Sequence, residues 1–142
     1  AFKKGPNSIF AIGGFIFCAK DPAASANKWA ETLRLITDDL EVSGNHLRFG
    51  FQRLEWIGPA QYRERFGESW TVPNGSTKEI CAVILLTEDL GASRSYLEKE
   101  AFQVMPGADP LGFDVRPDAE TGYAFHIEQG VPKKVLNLLP QA

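Results

Sequence analysis

Gly14-Phe15-Ile16-Phe17-Cys18-Ala19-Lys20-Asp21-Pro22-Ala23-Ala24 is the stretch on which the reading of this chain turns. It closes an apolar run, Ile9 to Ala19, whose Ile and Phe content is that of a buried strand. Asp21 then suits a helix N-cap, because its carboxylate can accept a bond from a first-turn backbone N–H. Pro22 suits the first helical position, where a missing N–H costs nothing. A helix is expected from about Pro22 to Leu35, with Ala26, Trp29, Leu33 and Ile36 on one face.

The same order returns about 68 positions later. Ile80 to Leu86 is a second apolar run, and Asp89 precedes a helix expected from about Leu90 to Ala101. At this shift Phe15-Ile16-Phe17 falls on Val83-Ile84-Leu85, Asp21 on Asp89, Ala24 on Ala92 and Ser25 on Ser93. Strand material follows each helix. In the first half, Leu47, Phe49, Phe51, Leu54 and Trp56 follow a Gly44-Asn45 turn, with a slip of phase expected near Gly50. Gly58-Pro59 then opens a short helix, Ala60 to Phe66. In the second half, Leu111, Phe113 and Val115 alternate with polar or small residues, and Tyr123, Phe125 and Ile127 alternate with Ala124, His126 and Glu128.

These patterns predict one α+β domain of two βαβββ modules, about 9–66 and 79–130. A linker at 67–78 joins them, and a tail runs over 131–142. One such module buries only one sheet face. Two together can form a curved mixed or antiparallel sheet around a cavity.

Net charge is -3 and the pI is about 5.4, which argues against a nucleic-acid partner. No apolar run approaches the roughly 18 residues of a membrane span, so no membrane association is expected. Cys18 and Cys81 lie in strand-like runs without metal-ligand spacing, which reads as buried free thiols and a cytoplasmic location. Gly13-Gly14 sits inside a strand, where it permits close backbone approach rather than phosphate binding.

The opening stretch, its repeat over Ala82 to Leu90, and Arg53-Leu54-Glu55-Trp56-Ile57-Gly58-Pro59 with its counterpart Gly122 to Glu128 resemble the glyoxalase-like branch of the vicinal oxygen chelate superfamily, which includes bleomycin-resistance-like proteins. The resemblance implies a cup-shaped sheet and assembly as a homodimer. Metal enzymes of that superfamily carry His or Gln near the start of each module's first strand and Glu or His on each last strand. The first-strand positions fall here on Gly14 and Ala82, which offer no donor. The last-strand positions fall on Glu55 and His126, with Glu128 as the alternative to His126.

Half of the implied metal shell is therefore missing, and no cofactor is expected. The leading expectation is a domain binding a small organic molecule in the cup without the usual metal. The alternative is a metal-dependent lyase, isomerase or dioxygenase of the superfamily's type using Glu55 and His126, which would also be the acid–base pair of a metal-free enzyme. Arg48 or Arg53 could clamp an anionic ligand, and Trp56 and Phe113 could line its pocket. His46, next to a turn, reads as a surface residue.

Overall fold

The computed structural model describes residues 8–67, 80–105, 112–117 and 124–132. Module one comprises β1 (Ile9–Cys18), α1 (Pro22–Arg34), β2 (Glu41–Ser43), β3 (His46–Phe49), β4 (Gln52–Ile57) and α2 (Pro59–Phe66). Module two comprises β5 (Ile80–Thr87), α3 (Leu90–Lys99), β6 (Gly112–Val115) and β7 (Ala124–Gln129). The strands form one open mixed sheet of order β2-β3-β4-β1-β5-β7-β6. Val104 forms an isolated bridge to Val115.

The two modules meet where β1 and β5 run antiparallel at the centre of the sheet. Each pairs in parallel with the last strand of its own module, β1 with β4 and β5 with β7. The registers obey the repeat. Ile16 stands opposite Glu55, and Ile84, which is 68 positions on, stands opposite His126. The helix starts match as well. Asp21 accepts from the Ala24 N–H at 3.1 Å and Asp89 from the Ala92 N–H at 3.0 Å. α1 stops at Arg34, so Ile36 lies beyond it and is 74% exposed rather than packed on its face. The slip expected near Gly50 is a two-residue hairpin turn instead: Phe49 pairs with Gln52, and Gly50 takes the left-handed conformation that lets the chain reverse. Most of the 67–78 linker and of the tail lies outside the described residues. Among those described, no helix is long and apolar enough to cross a membrane.

Alternation sorts the side chains onto two faces. On the convex face, Phe17, Leu54 and Trp56 pack beneath α1, while Leu85, Phe113, Phe125 and Ile127 pack beneath α3. On the concave face, α2 lays Tyr62 and Phe66 over Ile16, Cys18, Cys81, Ala82, Ile84 and Ala124. Both cysteines are buried and unbridged.

β4 lies against β1 at Gly14, which stands opposite Arg53 and has a φ of +145°. A Cβ there would overlap the carbonyl of Arg53, so only glycine fits. Gly14→Ala is expected to lower unfolding stability by more than about 2 kcal/mol, as strain at a forbidden backbone conformation does. Guanidinium denaturation measures this, and an unchanged midpoint would contradict the close strand approach.

Candidate functional site

The strand phase that buries Trp56 and Phe113 under the helices sends Arg53 and Glu55 of β4, His46 and Arg48 of β3, Asp114 of β6, and His126 and Glu128 of β7 to the concave face. There they meet Arg65, which α2 contributes one residue before Phe66. The result is a buried ionic network that crosses the module boundary.

Arg53 donates from Nη1 to Glu55 Oε1 at 3.1 Å and from Nη2 to Glu128 Oε1 at 2.6 Å. Arg65 donates to Glu55 Oε2 at 2.8 Å. It also forms a fork on Asp114, from Nε at 3.1 Å and from Nη2 at 3.0 Å. His126 is fully enclosed, with Nδ1 at 2.8 Å from Asp114 and Nε2 at 3.2 Å from Glu128. Each arginine thus bonds a carboxylate of its own module and one of the other.

The protonation states follow from these contacts. Burial alone would push the His126 pKa down, but the hydrogen bonds to Asp114 and Glu128 outweigh it and raise it to about 9. Burial would likewise raise Asp114 and Glu128. Asp114 is held below its ordinary value by hydrogen bonds from His126 and Arg65, and Glu128 by the bond from His126 and the charge of Arg53. At neutral pH the network therefore balances three carboxylates against two guanidiniums and one imidazolium. Nη2 of Arg65 also lies 3.5 Å from Nδ1 of His126. Both groups are donors, so Asp114, which accepts from each, holds them together.

His46 differs. Burial lowers its pKa and the surrounding arginines lower it further, against the opposing charge of Glu55. Arg53 can only donate, so the 3.2 Å contact makes Nδ1 of His46 an acceptor and leaves its proton on Nε2. That edge faces Glu55 at 3.8 Å, in a side chain that is 42% exposed. His46 is thus the partly exposed edge of the network, near the surface as its turn suggested but in contact with Arg53.

The sequence pointed to Glu55 with His126, or with Glu128 in its place, and to Arg48 or Arg53 as a clamp; the structure joins Glu55, Arg53, Glu128 and His126 in one chain of contacts. Arg48 lies at the rim, exposed, and makes no ion pair among the described residues. The assignment of Trp56 and Phe113 to the pocket is corrected: both belong to the opposite face. Trp56 stacks on Phe17 at 5.0 Å between ring centroids, and Phe113 joins the core cluster beneath α3. Arg65 and Asp114 were missed. Asp114 could have been found from strand phase, since it stands opposite His126.

This donor set does not fit a divalent metal. Gly14 has no room for a side chain, and Ala82 offers only a methyl group within the apolar cluster. Both oxygens of Glu55 accept from arginines, and both nitrogens of His126 face carboxylates. Arginine guanidiniums hold the carboxylates that a cation would otherwise need. The same engagement argues against Glu55 and His126 as an acid–base pair, because neither presents an unoccupied polar atom to a substrate.

No protein-family profile and no curated protein matches the sequence. Solved structures do match the fold. Methylmalonyl-CoA epimerase from Mycobacterium tuberculosis aligns with a TM-score of 0.55 at 12% identity, over 92% of this chain and 95% of that one. A hypothetical protein from Bacillus halodurans C-125 aligns with a TM-score of 0.53 at 12% identity, over 85% and 94%. A xylose isomerase-like TIM barrel/4-hydroxyphenylpyruvate dioxygenase fusion protein aligns with a TM-score of 0.50 at 16% identity, over 89% of this chain and 21% of that one.

The raised His126 pKa makes stability depend on alkaline pH. A group whose folded pKa lies above its unfolded value of 6.5 stabilises fully below that value and loses its contribution as pH rises toward 9. A shift of this size corresponds to roughly 3 kcal/mol. Thermal unfolding is expected at progressively lower temperature between pH 6.5 and 9, and His126→Gln should remove most of that slope. An equal slope in the variant would show that the imidazolium is not held as described.

Proposed function

We propose, from the premise that this chain carries the glyoxalase-like fold of the vicinal oxygen chelate superfamily, that it is a metal-independent binding domain for a small organic acid. The acid binds at the rim of the concave face. The observation that carries this reading is the engagement of both Glu55 oxygens by Arg53 and Arg65, at the place where the superfamily's metal enzymes gather ligands.

With the network closed on itself, recognition falls to the groups at its edge. Arg48 presents an exposed guanidinium on the same strand phase as His46, and its charge reaches both His46 and Glu128. The Nε2–H of His46 supplies a second donor. Together they suit a carboxylate, which takes two donors at once. An apolar cluster lies on the same face. Leu86, opposite Glu128 on β5, packs with Phe10 at the end of the concave face away from α2, and Phe51 packs against that pair. The ionic layer then acts as a floor that fixes donor positions instead of supplying a reacting atom. Tyr62 and Phe66 seal the other end.

The test is calorimetric titration with benzoate, phenylacetate and salicylate in the presence of a chelator. Saturable binding is expected in metal-free buffer, weakened at least tenfold in Arg48→Ala, since losing one charged hydrogen bond costs about 1.5–3 kcal/mol. Binding that requires added Zn²⁺, Mn²⁺ or Ni²⁺ would overturn the reading in favour of a metal enzyme. Absence of any saturable binding would remove the rim as a site.

A further inference from the structure

The pseudo-symmetry that builds the concave network also exposes a difference between the two convex faces. In module one, the space between α1 and the sheet is filled by three aromatic side chains. Phe17 of β1 stacks on Trp56 of β4, with ring centroids 5.0 Å apart and planes 13° apart. Trp29 of α1 closes the group, with its ring centroid 6.0 Å from each. The 68-position repeat and the strand registers map each of these onto module two. Phe17 falls on Leu85 and Trp29 on Leu97. Trp56, opposite Phe17, falls on Ile127, opposite Leu85. All three aromatic positions of module one are aliphatic in module two.

At that place the structure has a cavity of about 180 Å³, and Leu85, Leu97 and Ile127 all line it. Phe102, Val115 and Phe125 are among the other walls, and among the described residues no charged or polar side chain contributes. Leu97 and Ile127 are buried, whereas Leu85, Phe102 and Phe125 are only partly so, which leaves an entrance at one side. The helix stands over the sheet in both modules, its start fixed by the same aspartate cap. Smaller side chains under a helix held in place leave space rather than letting the layers collapse.

The geometry points to a second binding site, distinct from the concave rim, that takes one small neutral aromatic molecule between α3 and the sheet of module two. The volume suits a single ring: an apolar cavity of about 150 Å³ lined by Leu, Ile and Phe stays dry and takes up benzene. A charged ligand is disfavoured, because the described walls offer nothing to replace its hydration. The bound ring would occupy the position that the indole of Trp29 holds in module one. This inference does not depend on the organic-acid reading of the rim.

Toluene is the probe, titrated into the intact chain while methyl resonances are followed by NMR. Saturable shifts centred on Leu85, Leu97, Val115 and Ile127 are expected, together with a rise in melting temperature. Leu97→Trp restores the module-one residue and should fill the space, reducing toluene affinity at least tenfold, while Arg48→Ala should leave it unchanged. If the tryptophan variant does not fold, Leu97→Phe provides the same test with a smaller ring. The proposal is overturned if toluene produces no saturable shifts up to its solubility limit. It is equally overturned if the shifts map elsewhere, or if affinity survives both ring substitutions.

Discussion

Charge neutralisation inside the concave face is the constraint to which the rest of the structure answers. Three carboxylates, two guanidiniums and an imidazolium are gathered there, each side chain less than one-fifth exposed. Each loses hydration on burial, and the mutual attraction recovers this only with close geometry and full hydrogen bonding. That requirement constrains where β4 stands relative to β7 across the intervening β1 and β5, places α2 so that Arg65 reaches Asp114, and ties one module to the other. A network of this kind contributes less to net stability than apolar packing of equal volume, but breaking any one member strands a buried charge. Its main physical effect is to allow one arrangement of the two modules and penalise others.

The repeat shows how the network was assembled from equivalent places. Glu55 and His126 occupy matching positions on the two last strands. Their antiparallel neighbours, His46 and Asp114, match as well. An acid faces a histidine in each module, with the roles exchanged. The surroundings decide the protonation. His126 lies between two carboxylates and holds a proton, whereas His46 accepts from an arginine and stays neutral. The histidines of the two acid–histidine pairs, which stand on different strands of the repeat, therefore carry different charge.

The fold was legible because it rests on an ordered pattern: apolar strand, aspartate cap and helix recur at one spacing, which fixes two modules. Glu55, His126, Glu128 and Arg53 were legible as concave residues because strand alternation places them there. Trp56 and Phe113 were assigned to the pocket for their aromatic character, although the alternation that turns Glu55 and His126 inward turns these two toward the helices. Arg65 left no such signal. It lies among charged residues on a short helix, where an arginine reads as solvated, and only the packing of Tyr62 and Phe66 onto the sheet aims it into the network. The role of His46 was obscured by its turn, since its contacts with Arg53 and Glu55 come from the strand across the hairpin.

The central claim is that arginine-to-carboxylate bonds across the module boundary hold the two modules in one arrangement. A double-mutant cycle on Arg65 and Asp114, using Arg65→Met and Asp114→Asn with stability read by denaturant unfolding, tests it most directly. Each single change should destabilise by roughly 3 kcal/mol or more, as removing one member of a buried pair does. The double variant should be less destabilised than the sum of the two, with a coupling above about 1.5 kcal/mol. Additive losses with no coupling would mean that the fork on Asp114 does not hold the modules together, and would contradict the account.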